Sequence, residues 1–294
     1  MSLHKIAVSL GLTYATDKDA ETRLAKYISL KFQEAVTIFI KENFSTGKKE
    51  EKTTFVSCLK QVWLENNGRR RKVEFYVHDP YLLKHFPDLC GVERRIIMIP
   101  KAHSGTFAET YHGPSGDYQG MQYSMGSVDS ASNTLELKKV FLRLVANVYH
   151  ECDHIYSQGK SENEGVESSL LYLMDKGELR AHSKELAFLF HHAYEGKRFN
   201  YKLLLSHIQK AYARNEKPFS VVMHLELFRD PENFKSENKK MMDYLKNRVI
   251  VSGHRISVGD CKKVFRAYMH FITHYVEYFN KHPGHKIKVN FDLR

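Results

Sequence analysis

The chain has 294 residues, of which 42% are hydrophobic and 27% are charged. This composition is that of a folded globular protein, and it excludes a wholly disordered chain or a fibrous repeat. The formal net charge of +11 favours a polyanionic partner only modestly, because the basic residues are spread along the whole chain.

Hydropathy and cysteine spacing bear on where the protein works. No run of about 18 apolar residues occurs, and the N-terminus lacks the length and the cleavage site of a secretory signal. The four cysteines lie far apart without a CxxC pair, which favours a reducing compartment over a disulfide framework. We therefore expect a cytoplasmic protein that makes no membrane contact.

The N-terminal part begins with a long helix, predicted over residues 18–44 because apolar side chains recur there at helical spacing. Residues 54–64 and 72–79 are rich in β-forming residues and flank a turn signal at residues 66–68, so they predict a β-hairpin. A basic cluster lies beside the turn. It is either a solvated surface or a contact for nucleic acid, and it consists of Arg69, Arg70, Arg71 and Lys72.

Two more strands are predicted before the chain becomes helical. Residues 94–100 form an apolar β-rich run, and residues 118–128 alternate loosely in the manner of an edge strand. The residues between them, 105–117, predict a loop. An extended peptide could add to the exposed side of an edge strand at 118–128.

Capping residues mark the helices of the second half. Asn133 with Glu136 three residues later predicts a helix that begins near residue 134 and ends near 156. Asp175 is a candidate cap for a helix over residues 176–193. Residues 200–280 then indicate mainly helices, the last of them over 258–281.

The order helix, strands, helices predicts an α+β fold. We expect an N-terminal helix and a small twisted sheet over residues 1–132. An active-site helix and a helical C-terminal part would follow over residues 133–294, in one continuous domain with the first part.

The motif that carries chemistry is His-Glu-Cys-Asp-His at residues 150–154, an HExxH pattern. His150 and His154 stand at i and i+4 on one helical face, so both rings can bind one metal ion. Glu151 is rotated by about 100° from His150 and could take a proton from a metal-bound water. The alternative is a pair of surface histidines beside a glutamate.

The surrounding helix predicts one packed face and one polar face. Its apolar stripe runs from Leu137 to Ile155 and includes Cys152, which we interpret as a buried core thiol. The two histidines fall on another face, in line with Asn147. Such a helix suits a metal site.

The downstream tract Tyr172 to His182 completes a resemblance to the zincin metallopeptidases, in particular to the gluzincins. In that branch an HExxH helix is followed by a second helix that bears ExxA or ExxxD, and here Glu178 is followed by Ala181. The resemblance covers about residues 94–193. The tract also looks like small zincin-type proteins of bacteriophages, which would place the protein in the host cytoplasm or the virion.

The resemblance implies a zincin-like fold in which His150, His154 and Glu178 bind Zn²⁺ and Glu151 is the general base of a metallopeptidase. Glu178 would lie on a helix beside the helix of the histidines, with a carboxylate oxygen about 2.0–2.2 Å from the ion. The donor set also accepts manganese or iron. Alternatively, Glu178 only closes the start of a helix; the substitute ligands are then His182, Glu185, Glu164 and Glu167.

The sequence departs from the gluzincin pattern at His182, where many members carry an aspartate that orients a histidine ligand. Asp175 or Asn147 could supply that support, or His182 has another role. An oxyanion stabiliser is also required, and the candidates are Tyr172, His182, His224 and His254.

Two functions follow from these observations. The first is a zinc-dependent metallopeptidase that acts on a peptide or protein. The alternative is a structural or nucleic-acid-associated protein, viral in origin, that keeps a zincin-like fold without peptidase activity; the net charge of +11 and the basic cluster favour it.

Overall fold

The computed structural model describes twelve stretches of the chain. These are residues 18–44, 53–62, 73–76, 93–99, 108–112, 118–124, 126–157, 173–212, 220–231, 250–251, 254–255 and 257–289. All strand residues and a few helical ones are described by their backbone alone. The basic cluster lies outside the described residues.

The described elements belong to two compact units. The first unit holds the elements between Ala15 and Gly159 together with the residues from Phe279 onward, and the second holds those between Lys160 and Tyr278. The boundary predicted at residue 133 falls inside the first unit.

Helices supply the described core of the first unit. The predicted helix over residues 18–44 is confirmed as α1, and it packs against α2 and α4. The helix predicted from residue 134 is confirmed as α4. The bounds are α1 Lys18–Phe44, α2 Phe55–Val62, α3 Gly126–Asp129 and α4 Thr134–Ser157, with a 3-10 turn at Pro283–His285.

The strand predicted over residues 54–64 is wrong, because α2 occupies Phe55–Val62. Its buried side chains, Phe55, Cys58 and Leu59, recur at helical and not at strand spacing. The backbone N–H of Phe55 donates to Asp129 Oδ1 over 2.6 Å, which supports the first turn of the helix. The predicted hairpin is therefore wrong as well, because the helical spacing of the apolar residues indicates the structure of this segment better than its β-rich composition does.

Among its described residues, the backbone of the first unit also forms four short strands in the order β1-β2-β4-β3. Strands β2 and β4 pair in parallel, and the other two pairs are antiparallel. The bounds are β1 Val73–Tyr76, β2 Glu93–Ile99, β3 Ala108–His112 and β4 Tyr118–Ser124.

Two predictions fail in this region. Strand β3 lies inside the predicted loop over residues 105–117. The predicted edge strand near 118–128 corresponds to β4, which lies between β2 and β3. Since both sides of β4 are paired, a substrate strand cannot add to it.

The predicted α+β, zincin-like fold with a twisted sheet is also wrong. The residues described with their side chains are 84% helical and contain no strand or sheet. Nearly all buried apolar side chains of these residues lie on helices, including Phe32, Phe141, Phe188 and Phe271. Burial thus comes from helix faces, and short β-rich runs of sequence were weak indicators of fold class.

Within the described residues, the second unit contains three helices, then a pair of short antiparallel strands, and then most of a long helix. The helices predicted over residues 176–193 and 258–281 are confirmed, and α5 packs against α6. No helix in the described ranges is both long and apolar enough to cross a bilayer. The bounds are α5 Lys176–Ala193, α6 Tyr201–Tyr212, α7 Ser220–Arg229, β5 Ile250–Val251, β6 His254–Arg255 and α8 Val258–Lys281.

Reciprocal hydrogen bonds close the start of α4. Asn133 Oδ1 accepts from the backbone N–H of Glu136 over 2.9 Å, as the predicted capping box requires. The carboxylate of Glu136 accepts from the backbone N–H and the hydroxyl of Ser132, over 2.8 and 2.6 Å, and so bonds one residue earlier than in the standard box. These bonds hold the pKa of Glu136 below its ordinary value of 4.5.

We expect Glu136→Gln to make the free energy of unfolding depend less on pH in the acid range. Because the pKa of Glu136 is lower in the folded protein, its stabilising effect is complete above the ordinary value of 4.5 and is lost as the pH falls through the folded pKa. The measurement is the free energy of unfolding between about pH 3 and pH 6. Equal pH slopes for wild type and variant in that interval would contradict this assignment; Glu34→Gln, on exposed α1 surface, is the control.

Candidate metal centre

The HExxH helix is buried on almost all sides around the motif. Cys152 is confirmed as a core thiol, and the predicted apolar stripe is buried at Leu137, Phe141, Leu144, Val145 and Val148. His150 and Glu151 are also buried, with exposed fractions of 5% and 4%. His154 and Asn147 are half-buried, so the polar face is only partly open to water.

The two motif histidines point their Nε2 atoms at each other across one turn of α4. The Nε2 atoms of His150 and His154 lie 3.1 Å apart, and the ring centroids are 4.8 Å apart. Two nitrogens bound to one tetrahedral ion at 2.0–2.1 Å would lie about 3.4 Å apart. The observed spacing fits a shared ion, and it also fits a hydrogen bond in which one ring donates.

Buried carboxylates accompany these histidines. Glu151 follows His150 directly on α4, and Asp153 is fully buried beside His154 in the sequence. Carboxylates are seldom this buried unless they are paired or bind a cation. Sequence analysis did not single out Asp153, although an acid between two predicted ligands on a packed helix was a signal for it.

Asp175 fixes the start of α5, as predicted. Its Oδ1 accepts from the backbone N–H of Gly177 over 2.8 Å and of Glu178 over 3.3 Å. Glu178 thus lies in the first turn of α5, where the helix dipole favours a carboxylate. Its exposed fraction is 6%.

His182 stands between two carboxylates of the same helix. Its Nδ1 lies 3.0 Å from Glu185 Oε2, and its Nε2 lies 3.8 Å from Glu178 Oε2. Glu178 and His182 are both among the side chains that could hold a metal ion. The position that departs from the gluzincin pattern therefore carries a histidine in contact with acids.

Tyr268 on α8 is a further buried group of this region that sequence analysis missed. Its hydroxyl donates to the carbonyl oxygen of Leu173 over 2.9 Å. Burial, and then the negative charges of Glu178, Glu185 and Asp175, raise the pKa of Tyr268 well above its ordinary value. It therefore stays protonated. In the sequence it was only one aromatic residue of a packing helix.

The remaining predicted positions are distributed as follows. His224 is buried on α7, and His254 lies on β6 with only its backbone described. Tyr172, Glu164 and Glu167 lie outside the described residues. The structure thus brings His150 together with His154 in the first unit, and Glu178 together with His182 and Glu185 in the second.

Comparison with known proteins adds no relative. No protein-family model, curated protein or solved structure matches the chain. The zincin resemblance therefore rests on the residues themselves, and it has no support beyond the motif and the downstream glutamate.

Proposed function

We propose that the chain is a zinc-dependent metallopeptidase in which His150 and His154 bind the ion and, as the sequence resemblance to the gluzincins implies, Glu178 is a third protein ligand. The observation that carries the proposal is the 3.1 Å approach of the two Nε2 atoms on a buried helix. Two imidazoles and a carboxylate form the donor set that a catalytic zinc site uses when one position is left for water.

Zinc bound there would lower the pKa of a coordinated water towards neutrality and polarise the carbonyl of the scissile bond. Glu151 would accept the proton of the attacking water and pass it to the amine that leaves. Its burial keeps bulk water from competing for this proton, and its position one residue after His150 fixes it relative to the first ligand. The sequence resemblance to the zincins implies that the substrate is a peptide or a protein.

The experiment uses the purified full chain, with metal content measured by mass spectrometry and hydrolysis measured on an unfolded protein such as casein. We expect about one zinc per chain, hydrolysis that stops when a chelator removes the metal, and recovery when zinc is returned. The same metal analysis distinguishes zinc from manganese and iron. Binding of metal without hydrolysis would contradict the peptidase and leave a structural metal site.

The cysteines support a cytoplasmic location, in the host cell if a phage encodes the protein. Cys58, Cys152 and Cys261 are buried thiols. Burial raises the pKa of Cys58 to about 12 and also raises that of Cys261, and a reducing compartment is where free thiols persist.

A second candidate, binding to nucleic acid, is favoured by the net charge of +11 and the basic cluster Arg69, Arg70, Arg71 and Lys72. If the cluster contacts phosphates, replacing its four residues with alanine should reduce the steepness of the plot of log binding constant for DNA against log salt concentration by about 3–4. The control neutralises four exposed lysines dispersed over the helices, Lys176, Lys202, Lys210 and Lys281. Equal slopes for the cluster variant and wild type would show that the cluster does not contact DNA and is a solvated surface.

A further inference from the structure

Three side chains lie in a row along one face of α5, and each is close to the next. Glu178, His182 and Glu185 stand at i, i+4 and i+7, which is the spacing of one helix face. Their side chains are between 4% and 12% exposed in the two contacts that join them. A histidine placed between two buried acids needs a chemical explanation, since buried ionisable groups are costly unless they are satisfied.

The contact with Glu185 assigns the tautomer of His182. At 3.0 Å, Nδ1 and Oε2 are within hydrogen-bond distance, and a carboxylate can only accept. Nδ1 therefore carries the proton and donates. In the neutral ring Nε2 then presents its lone pair, which is the form that binds a metal. A carboxylate that holds the far nitrogen of a histidine in this way is typical of metal sites.

The contact with Glu178 is too long to be a hydrogen bond, because its length is 3.8 Å. It does match two donors of a common ion. Atoms that lie 2.0–2.2 Å from one ion and subtend an angle between about 90° and 130° are about 3.0–3.8 Å apart. A lone pair on Nε2 and a carboxylate oxygen at this spacing leave room for a cation between them.

We propose that His182 is a metal ligand beside Glu178, and that Glu185 is the positioning residue which holds it. This inference rests on the proposed zinc site, in which Glu178 is a ligand, and it adds His182 to the donors that α5 supplies. His182 would thus bind the metal rather than stabilise an oxyanion.

The test measures the affinity for Zn²⁺, by competition with a chromophoric chelator, and the visible absorption of the Co²⁺-substituted protein. We expect His182→Ala to weaken zinc binding by about 100-fold or more and to strengthen the Co²⁺ bands as the coordination number falls. The isosteric Glu185→Gln should weaken binding by about 10–100-fold. The control is His192→Ala, a histidine of the same helix that stacks on Phe188 and should leave both readouts unchanged.

The outcomes separate this inference from the proposed function. If wild type binds zinc and His150→Ala loses it, while His182→Ala and Glu185→Gln match wild type, only the role of His182 is wrong. If wild type binds no zinc, the proposed site itself is wrong. Unfolding curves of the metal-free proteins show whether each variant folds, and Glu185→Gln decides the question if His182→Ala does not.

Discussion

Glu151→Gln is expected to lower kcat/KM for peptide hydrolysis by about 10²–10⁴-fold while zinc stays bound, because the proposed role of Glu151 is to move protons and not to bind the metal. Glutamine keeps the shape of the buried side chain but cannot accept the proton of the attacking water. Hydrolysis and zinc content are measured on the same preparation.

The matched control is Glu34→Gln, at an exposed glutamate of α1 that pairs with Lys31. It should retain wild-type activity. If Glu151→Gln hydrolyses the substrate as fast as the control, Glu151 is not the general base.

His150→Ala is expected to weaken zinc binding by more than about 100-fold, since it removes a proposed direct ligand and losing a supporting residue already costs about 10–100-fold. The Nε2 of His154, 3.1 Å away in wild type, is then left without the partner that defines the shared position. Zinc affinity by chelator competition is the measurement, and hydrolysis should fall with zinc occupancy.

His282→Ala is the control, at an exposed histidine that stacks on His285 in the same unit. Unfolding curves of the metal-free proteins show whether the substitution of buried His150 disturbs the fold. A His150→Ala protein that folds and keeps wild-type zinc affinity would rule out this residue as a ligand.

Long helices with clear ends could be predicted from the sequence. Helix α1 repeats its apolar residues at helical spacing over 27 residues. Helices α4 and α5 begin beside Asn133 and Asp175, whose side chains bond to the first turn. Capping and periodicity are local, so neighbours in the sequence are enough to specify them.

The wrong predictions of secondary structure concern short segments. Helix α2 has only 8 residues, and its β-rich composition outweighed three apolar positions at helical spacing. The central position of β4 depends on β2 and β3, which are distant in sequence. Strand order and fold class come from such long-range pairing, which composition and periodicity do not contain.

Some features of the candidate site could also be predicted from local sequence, and others depend on tertiary packing. The approach of His150 to His154 follows from their i, i+4 spacing on one helix. The near-complete burial of Glu151 and Asp153 comes from packing around α4, and the electrostatic effect of Glu178 and Glu185 on Tyr268 joins residues about ninety positions apart. Tertiary packing therefore decides which acids and hydroxyls can assist the predicted ligands.

The proposed zinc ligands can be identified by anomalous diffraction at the zinc edge, from crystals of the full chain grown with Zn²⁺. If His150, His154 and Glu178 bind the ion, one strong peak should lie about 2.0–2.1 Å from both Nε2 atoms and about 2.0–2.2 Å from a carboxylate oxygen of Glu178. A zinc peak bound elsewhere, or a map with no peak at the two histidines, would contradict this set of ligands.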